Sequence, residues 1–156
     1  MTYSILTIGY GNLPIQDFIQ NLKKNKIQAV IDIRSYPYSR FQKLYNRKPL
    51  EAILKESGIG YRFMGDCLGG RPKSPELQTN EEPDYNKIRK TISYQQGLDY
   101  LEKALEFDCR IVLLCACGDY RKCHRWNLVG KDLEKMGYTV EHIQRDGSIV
   151  VNNQLF

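Results

Sequence analysis

The chain has 156 residues, 42% of them hydrophobic and 26% charged, which fits one soluble globular domain with a single substantial core spanning residues 1–156. Lys and Arg number 23 against 18 Asp and Glu, a mildly basic balance that permits a polyanionic partner but falls short of the clustered charge of a dedicated nucleic-acid binder. No apolar run reaches the roughly 18 residues of a membrane helix, no secretory signal is legible, and five cysteines without a disulfide spacing point to free thiols in a reducing cytoplasm.

Strand-like and helix-like stretches alternate along the chain. Tyr3 to Ile8 reads as a strand ending at Gly9, and Pro14 suits the first turn of a helix whose Ile15, Phe18, Ile19 and Leu22 share one face. Ala29 to Ile33 is a second strand; Pro49 opens a second helix with Leu50, Ile53 and Leu54 inward and Gly58 as its stop. Ile59 to Met64 is a third strand. Residues Gly65 to Pro83 read as a long loop, of the kind that is functional or mobile. A helical stretch from Tyr85 to Phe107, with a break expected at Gly97, leads to a fourth strand at Ile111 to Cys115. A helix from Lys122 to Lys135, stopped by Gly137, leads to a fifth strand at Tyr138 to Ile143, and Ile149 to Val151 can add a short edge strand.

This alternation predicts an α/β fold: a three-layer, Rossmann-like sandwich with an open, mostly parallel sheet of about five strands and helices on both faces. In such a sheet ligands bind beyond the carboxyl ends of the strands. The unusual chemistry of this sequence lies at those ends. Gly9-Tyr10-Gly11-Asn12 follows strand one, Asp32-Ile33-Arg34-Ser35 follows strand two, Leu68-Gly69-Gly70-Arg71 lies beyond strand three, and the run from Cys115 to Arg125 follows strand four. Four separate segments are therefore expected to meet on one edge.

The ordered set Thr7-Ile8-Gly9, Asp32-Ile33-Arg34 with Pro37 and Ser39, Leu68-Gly69-Gly70, and Cys115 with Cys123-His124-Arg125 resembles the family called domain of unknown function 488 over nearly the whole chain. The resemblance implies a compact α/β fold and a shared site, with no reaction attached. It also marks two departures: Tyr10 and Gly11 stand where the family's first motif has His and Ser, and Cys117 stands where relatives often carry an acid.

Cys115 ends a strand and leads toward a helix, where the helix start and a nearby Arg121 or Arg125 would lower a thiol pKa and make a nucleophile; a small buried strand residue is the plain alternative. Cys115 and Arg121 have the Cys-x5-Arg spacing of cysteine phosphatases, although Leu114 stands where those enzymes carry His. His124 reads as a general acid or base, or as a histidine satisfying backbone groups at a helix start, with Asp119 the nearby carboxylate. Arg125 offers a permanent charge and a fork for an anion, or an ion pair with Asp32.

Thiolates and imidazole also suit zinc. However, adjacent Cys123 and His124 rarely share one structural ion, so no metal and no cofactor is assigned.

Asp32 and Arg34 face the same side of strand two, with Asp32 set to orient an arginine or to act as a base. Arg34, Ser35, Arg40 and Lys43 alternate with Tyr36, Tyr38, Phe41 and Tyr45, which can hold phosphates and stack bases or can simply pack a Pro-constrained loop on the core. Gly9 opens a turn too short for a dinucleotide fingerprint that lets a ligand approach the backbone. Gly69, Gly70 and Arg71 read as a lid over the cleft.

The candidate set is therefore Cys115, His124 and Asp32 for catalysis, and Gly9, Arg34, Ser39, Gly69, Gly70, Arg71, Cys123 and Arg125 for binding an anion. Three functions fit: an enzyme acting on a phosphate- or sulfur-bearing substrate, such as a nucleotide or nucleic acid; a nucleotide- or nucleic-acid-binding module without turnover; and a metal-binding or redox-sensing thiol protein. The expected partner is a phosphate-bearing small molecule or a nucleic acid, not a membrane. The sequence does not set the oligomeric state.

Overall fold

The computed structural model describes residues 4–151; Tyr3, the expected first strand residue, lies outside them. In chain order the elements are β1 (Ser4–Gly9), α1 (Ile15–Lys24), β2 (Ala29–Asp32), α2 (Arg47–Glu56), β3 (Gly60–Phe63), α3 (Gly65–Leu68), β4 (Gln78–Thr79) and β5 (Glu82–Pro83). They continue with α4 (Tyr85–Arg89), α5 (Ile92–Glu106), β6 (Ile111–Cys115), α6 (Lys131–Lys135), β7 (Thr139–Ile143) and β8 (Ile149–Val151). Six strands form one sheet in the order β3-β2-β6-β1-β7-β8. All neighbours pair parallel except β8, which runs antiparallel to β7 as the expected edge strand.

Side-chain alternation along the strands builds the layers. Ile5, Ile31, Ile33, Ile111 and Leu113 pack with Leu98, Leu101, Leu105, Leu128 and Leu133 on one face, under α5 and α6. Leu6, Ile8, Val30, Val112 and Leu114 pack with Phe18, Leu22, Leu50 and Leu54 on the other, under α1 and α2. This is an α/β fold with a mostly parallel sheet, consistent with the three-layer sandwich.

The topology also places the site. β1 to β3 progress toward one edge, and the chain then returns to insert β6 between β2 and β1. Such a reversal opens a crevice at the carboxyl ends of the strands. There Gly9 is in register with Cys115, and Asp32 with Leu114.

Three local expectations are corrected. The helical stretch from Tyr85 breaks at Lys90–Thr91, not at Gly97; the Thr91 hydroxyl accepts from the Tyr94 amide at 3.2 Å and starts α5. Gly97 lies inside α5 because a Cβ there would stand 2.7 Å from Leu68 Cδ2: it is the contact with α3. The loop after β3 holds α3, a 3₁₀ turn at Pro75–Leu77 and a β4–β5 hairpin. Finally, the expected helix from Lys122 is composite: a 3₁₀ turn at Tyr120–Lys122, a π-helical segment at Arg125–Gly130, and α6. Gly130 permits the wide turn, since a Cβ there would stand 2.7 Å from the Arg125 carbonyl oxygen and 2.8 Å from the Trp126 ring.

Candidate active site

Cys115 ends β6, in the same strand parity as Leu113, so its side chain faces the π-helical segment. There it meets Cys123 and His124. The imidazole Nδ1 lies 3.8 Å from the Cys115 sulfur and 3.8 Å from the Cys123 sulfur, and all three atoms fall within 4.8 Å of one another. The other ring nitrogen, Nε2, lies 2.9 Å from the Ile33 carbonyl oxygen. A carbonyl only accepts, so Nε2 carries the hydrogen and the Nδ1 lone pair faces both sulfurs. The Cys115 thiol is pulled well below its ordinary value, first by the hydrogen bond from the Cys123 thiol and further by His124, while burial opposes. Cys123 is pushed the other way, by its hydrogen bond to Cys115 and by burial. The pair thus holds one thiolate, on Cys115, and one thiol, on Cys123.

Arg34, Ser35, Tyr36, Tyr38, Gly70, Arg71, Cys115, Ala116, Cys117 and His124 line one cleft of about 340 Å³. Three of the four expected segments therefore supply its walls. Arg34 is buried and fixed: its Nε and Nη2 donate to the two Asp32 carboxylate oxygens at 2.9 and 2.8 Å. Asp32 is fully buried and also accepts from the Tyr61 hydroxyl at 2.6 Å. Asp32 thus orients an arginine, and that arginine is Arg34. Arg71 is exposed and makes no ion pair among the described residues, and its amide donates to the Ser35 hydroxyl at 2.9 Å. The glycines before it are contact points. A Cβ on Gly69 would stand 2.3 Å from Ser35 Oγ, and one on Gly70 would stand 2.6 Å from His124 Cγ.

Beneath the cleft lies a buried cation with no carboxylate partner among the described residues. Arg125 is 1% exposed; it donates to the Thr7 hydroxyl at 2.6 Å and to the Cys117 carbonyl at 3.3 Å, and its Nε has no hydrogen-bond partner among the described residues. Thr7 Oγ1, which accepts from Arg125, also lies 2.5 Å from His142 Nδ1. Burial, and then the Arg125 charge, lower the His142 pKa to about 3, so this imidazole is neutral. It stacks on Tyr120 at 3.9 Å. Burial lowers the Arg125 pKa while the Cys123, Cys115 and Cys117 sulfurs raise it. The hydrogen-bond partners of Arg125 are thus Thr7 and the Cys117 carbonyl, with the Cys123 and then the Cys115 sulfur acting on its charge from nearby, while Asp32 is taken by Arg34.

Other expected residues fall elsewhere. Arg121 is exposed and paired with Asp119 at 3.0 Å, outside the cleft lining, so the Cys-x5-Arg spacing does not bring a clamp to Cys115. Ser39 does not line the cleft; its hydroxyl accepts from the Phe41 and Gln42 amides and shapes the loop. Gly9 supports the floor, because a Cβ there would stand 1.7 Å from the Cys117 carbonyl oxygen and 2.9 Å from Arg125 Nη2. Tyr10 stacks on Tyr45 at 4.0 Å and its hydroxyl is 3.5 Å from Arg34 Nη1. Of the four interleaved aromatics, Tyr45 alone packs into the core; Tyr36, Tyr38 and Phe41 are exposed. The donors that could hold a divalent cation are Cys115, Cys123 and His124, because Cys117 turns its sulfur to the Asp119 carbonyl.

A family model described as domain of unknown function DUF488 matches residues 14–130, three quarters of the chain. The chain belongs to this family. The DUF488 match spans Asp32, Arg34, Gly69, Gly70, Arg71, Cys115, Cys123, His124 and Arg125, and stops short of Gly9 and His142. No curated protein and no solved structure gives a significant match. Within this DUF488 chain, the sequence reading missed the Thr7–His142 pair and the part played by Ser35. The signal for the first was a polar residue in the middle of each of two central strands, which parallel pairing sets side by side.

Proposed function

We propose that this chain is an enzyme whose Cys115 attacks a phosphate- or sulfur-bearing substrate held in the cleft. The observation that carries the reading is the His124 ring, anchored by Ile33 at one nitrogen and directed at the Cys115 sulfur by the other. This is the arrangement of a nucleophile, a base and a group that orients the base. His124 takes the Cys115 proton and can return it to a leaving group, while its Nε2–H stays on the Ile33 carbonyl. Arg34 is neutralised by Asp32 and serves as a fixed donor, so Arg71 is the cation left for an anionic group. The exposed Tyr36 and Tyr38 at the rim suit a base-bearing substrate, a nucleotide or nucleic acid, by stacking.

The test is alkylation of Cys115 by iodoacetamide at about pH 6, below the ordinary thiol range, read by peptide mass with the partly exposed Cys109 as internal comparison. Cys115 is expected to react faster than Cys109. Inorganic phosphate, thiosulfate or a mononucleotide is expected to slow it, and Arg71→Ala to remove that protection. Equal reactivity of the two thiols, or no protection by any anion, overturns the reading. One zinc per chain in freshly purified protein would assign the three donors to a metal instead.

The exposed aromatics also favour a second reading, a nucleic-acid-binding module without turnover. Phe41 is 87% exposed beside Arg40, and Lys73 lies 5.6 Å from the Tyr36 ring. Retention of single-stranded DNA or RNA that falls steeply with salt, with no change in the nucleic acid, would support it.

A further inference from the structure

The nucleophile has a second thiol beside it, and the reading above leaves that thiol without a chemical task. Cys123 lies between the 3₁₀ turn and the π-helical segment with an extended backbone, φ −119° and ψ 144°. It is 4% exposed and absent from the cleft lining, whereas Cys115 is 9% exposed and lines the cleft. A reagent entering the cleft therefore meets Cys115 first. The two sulfurs lie within 4.8 Å of each other, a gap that must close to the roughly 2.05 Å of a disulfide. A single base, His124 Nδ1, stands equally close to both. Cys117 is not a competitor, since its sulfur is held 3.3 Å from the Asp119 carbonyl oxygen.

We infer that Cys123 is the resolving thiol of a two-cysteine reaction and that the substrate class includes small-molecule disulfides. This inference rests on Cys115 being the cleft nucleophile. In the first step the Cys115 thiolate attacks one sulfur of a disulfide RSSR; the Cys115 S–S bond forms, the S–S bond of RSSR breaks, and RS⁻ leaves and takes a proton from solvent. In the second step Cys123 passes its proton to His124 Nδ1 and attacks the Cys115 sulfur. The mixed disulfide breaks, the second RS⁻ leaves and takes the proton from His124, and a Cys115–Cys123 disulfide remains. RSSR gains two electrons and becomes two RSH; the two cysteines lose two electrons. The buried position of Cys123 gives the reaction its order, because the second thiol is reached only through the adduct on the first.

Dithiodipyridine is the probe, because each step releases one coloured thiopyridone. In a variant with Cys67, Cys109 and Cys117 replaced by serine, two equivalents per chain are expected, and the product is the unmodified chain lighter by two hydrogens. Adding Cys123→Ser to that background keeps a hydroxyl donor beside Cys115 and is expected to stop the reaction at one equivalent, with the pyridylthio group retained on Cys115. The wild-type chain, digested and mapped by mass, gives the same readout through the Cys115–Cys123 cross-linked peptide, so the test survives a serine variant that fails to fold. A stable pyridylthio adduct on Cys115 with Cys123 still reduced overturns the inference and leaves the nucleophile in place. An unreactive Cys115 overturns both.

Discussion

Asp32 holds Arg34 by two hydrogen bonds, of 2.9 and 2.8 Å, with its carboxylate fully buried and the guanidinium 4% exposed. Tyr61 completes the carboxylate, and burial followed by that hydrogen bond pushes the Tyr61 hydroxyl well above its ordinary range. Removing one partner of such a pair leaves a buried charge without compensation, which costs about 3–5 kcal/mol. Asp32→Asn is therefore expected to lose stability of that order in urea unfolding. A loss below about 1 kcal/mol would mean that the pair is solvated, as surface pairs are.

Cys115 alkylation should carry a shifted pH profile. The thiolate is the reacting form, and protonation on acidification removes it. Because the Cys115 pKa lies well below the usual value of about 8.5, the rate stays on its plateau through neutral pH and falls only in acid. The largest cause is the Cys123 hydrogen bond and the next favourable one is His124, so Cys123→Ala and His124→Gln should each move the midpoint upward, Cys123→Ala further. Pseudo-first-order rates from pH titration check the order of the two shifts.

Gly70→Ala addresses the base without touching either thiol. Its Cβ would stand 2.6 Å from His124 Cγ and 2.7 Å from His124 Cβ, so the ring must move. The Ile33 and Cys115 contacts of the imidazole depend on that ring position. The expected result is a folded protein whose Cys115 alkylation midpoint moves upward, as for His124→Gln, while the rate on the neutral plateau changes little. Circular dichroism and alkylation rates separate this outcome from unfolding.

His142 gives the fold an acid sensitivity. Its pKa is about 3 in the folded chain and about 6.5 when unfolded. Between those values the unfolded state binds a proton that the folded state does not, so stability falls as pH drops through that window. His142→Asn keeps a hydrogen-bonding group beside Thr7 and removes the titration. The difference in stability between the two proteins should shrink from pH 7 to about pH 5, and a difference that does not change with pH would rule this out.

Much of the architecture was legible because strand and helix periods are local properties. β6 follows from the run Ile111–Cys115, and β8 from Ile149–Val151. The convergence of Arg34, Arg71 and Cys115 was legible too, since parallel topology gathers carboxyl ends. What failed depended on contacts across the sheet. The Arg125 partner could not be read as Thr7 because their link spans 118 positions and requires the order β6-β1-β7. Arg121 matched a spacing but left the cleft when Asp119 claimed it locally. Gly97 looked like a helix break from composition, whereas its role is set by Leu68, a residue on another helix.

The Arg125 guanidinium gives the cleft a memory of its own chemical state. Arg125 has no acidic partner among the described residues, and the Cys123 and Cys115 sulfurs act on its charge from nearby. Capping the Cys115 sulfur with a neutral group, or joining it to Cys123, removes that influence while leaving the cation enclosed. The free thiolate is thus the state in which this enclosed guanidinium keeps negative charge nearby.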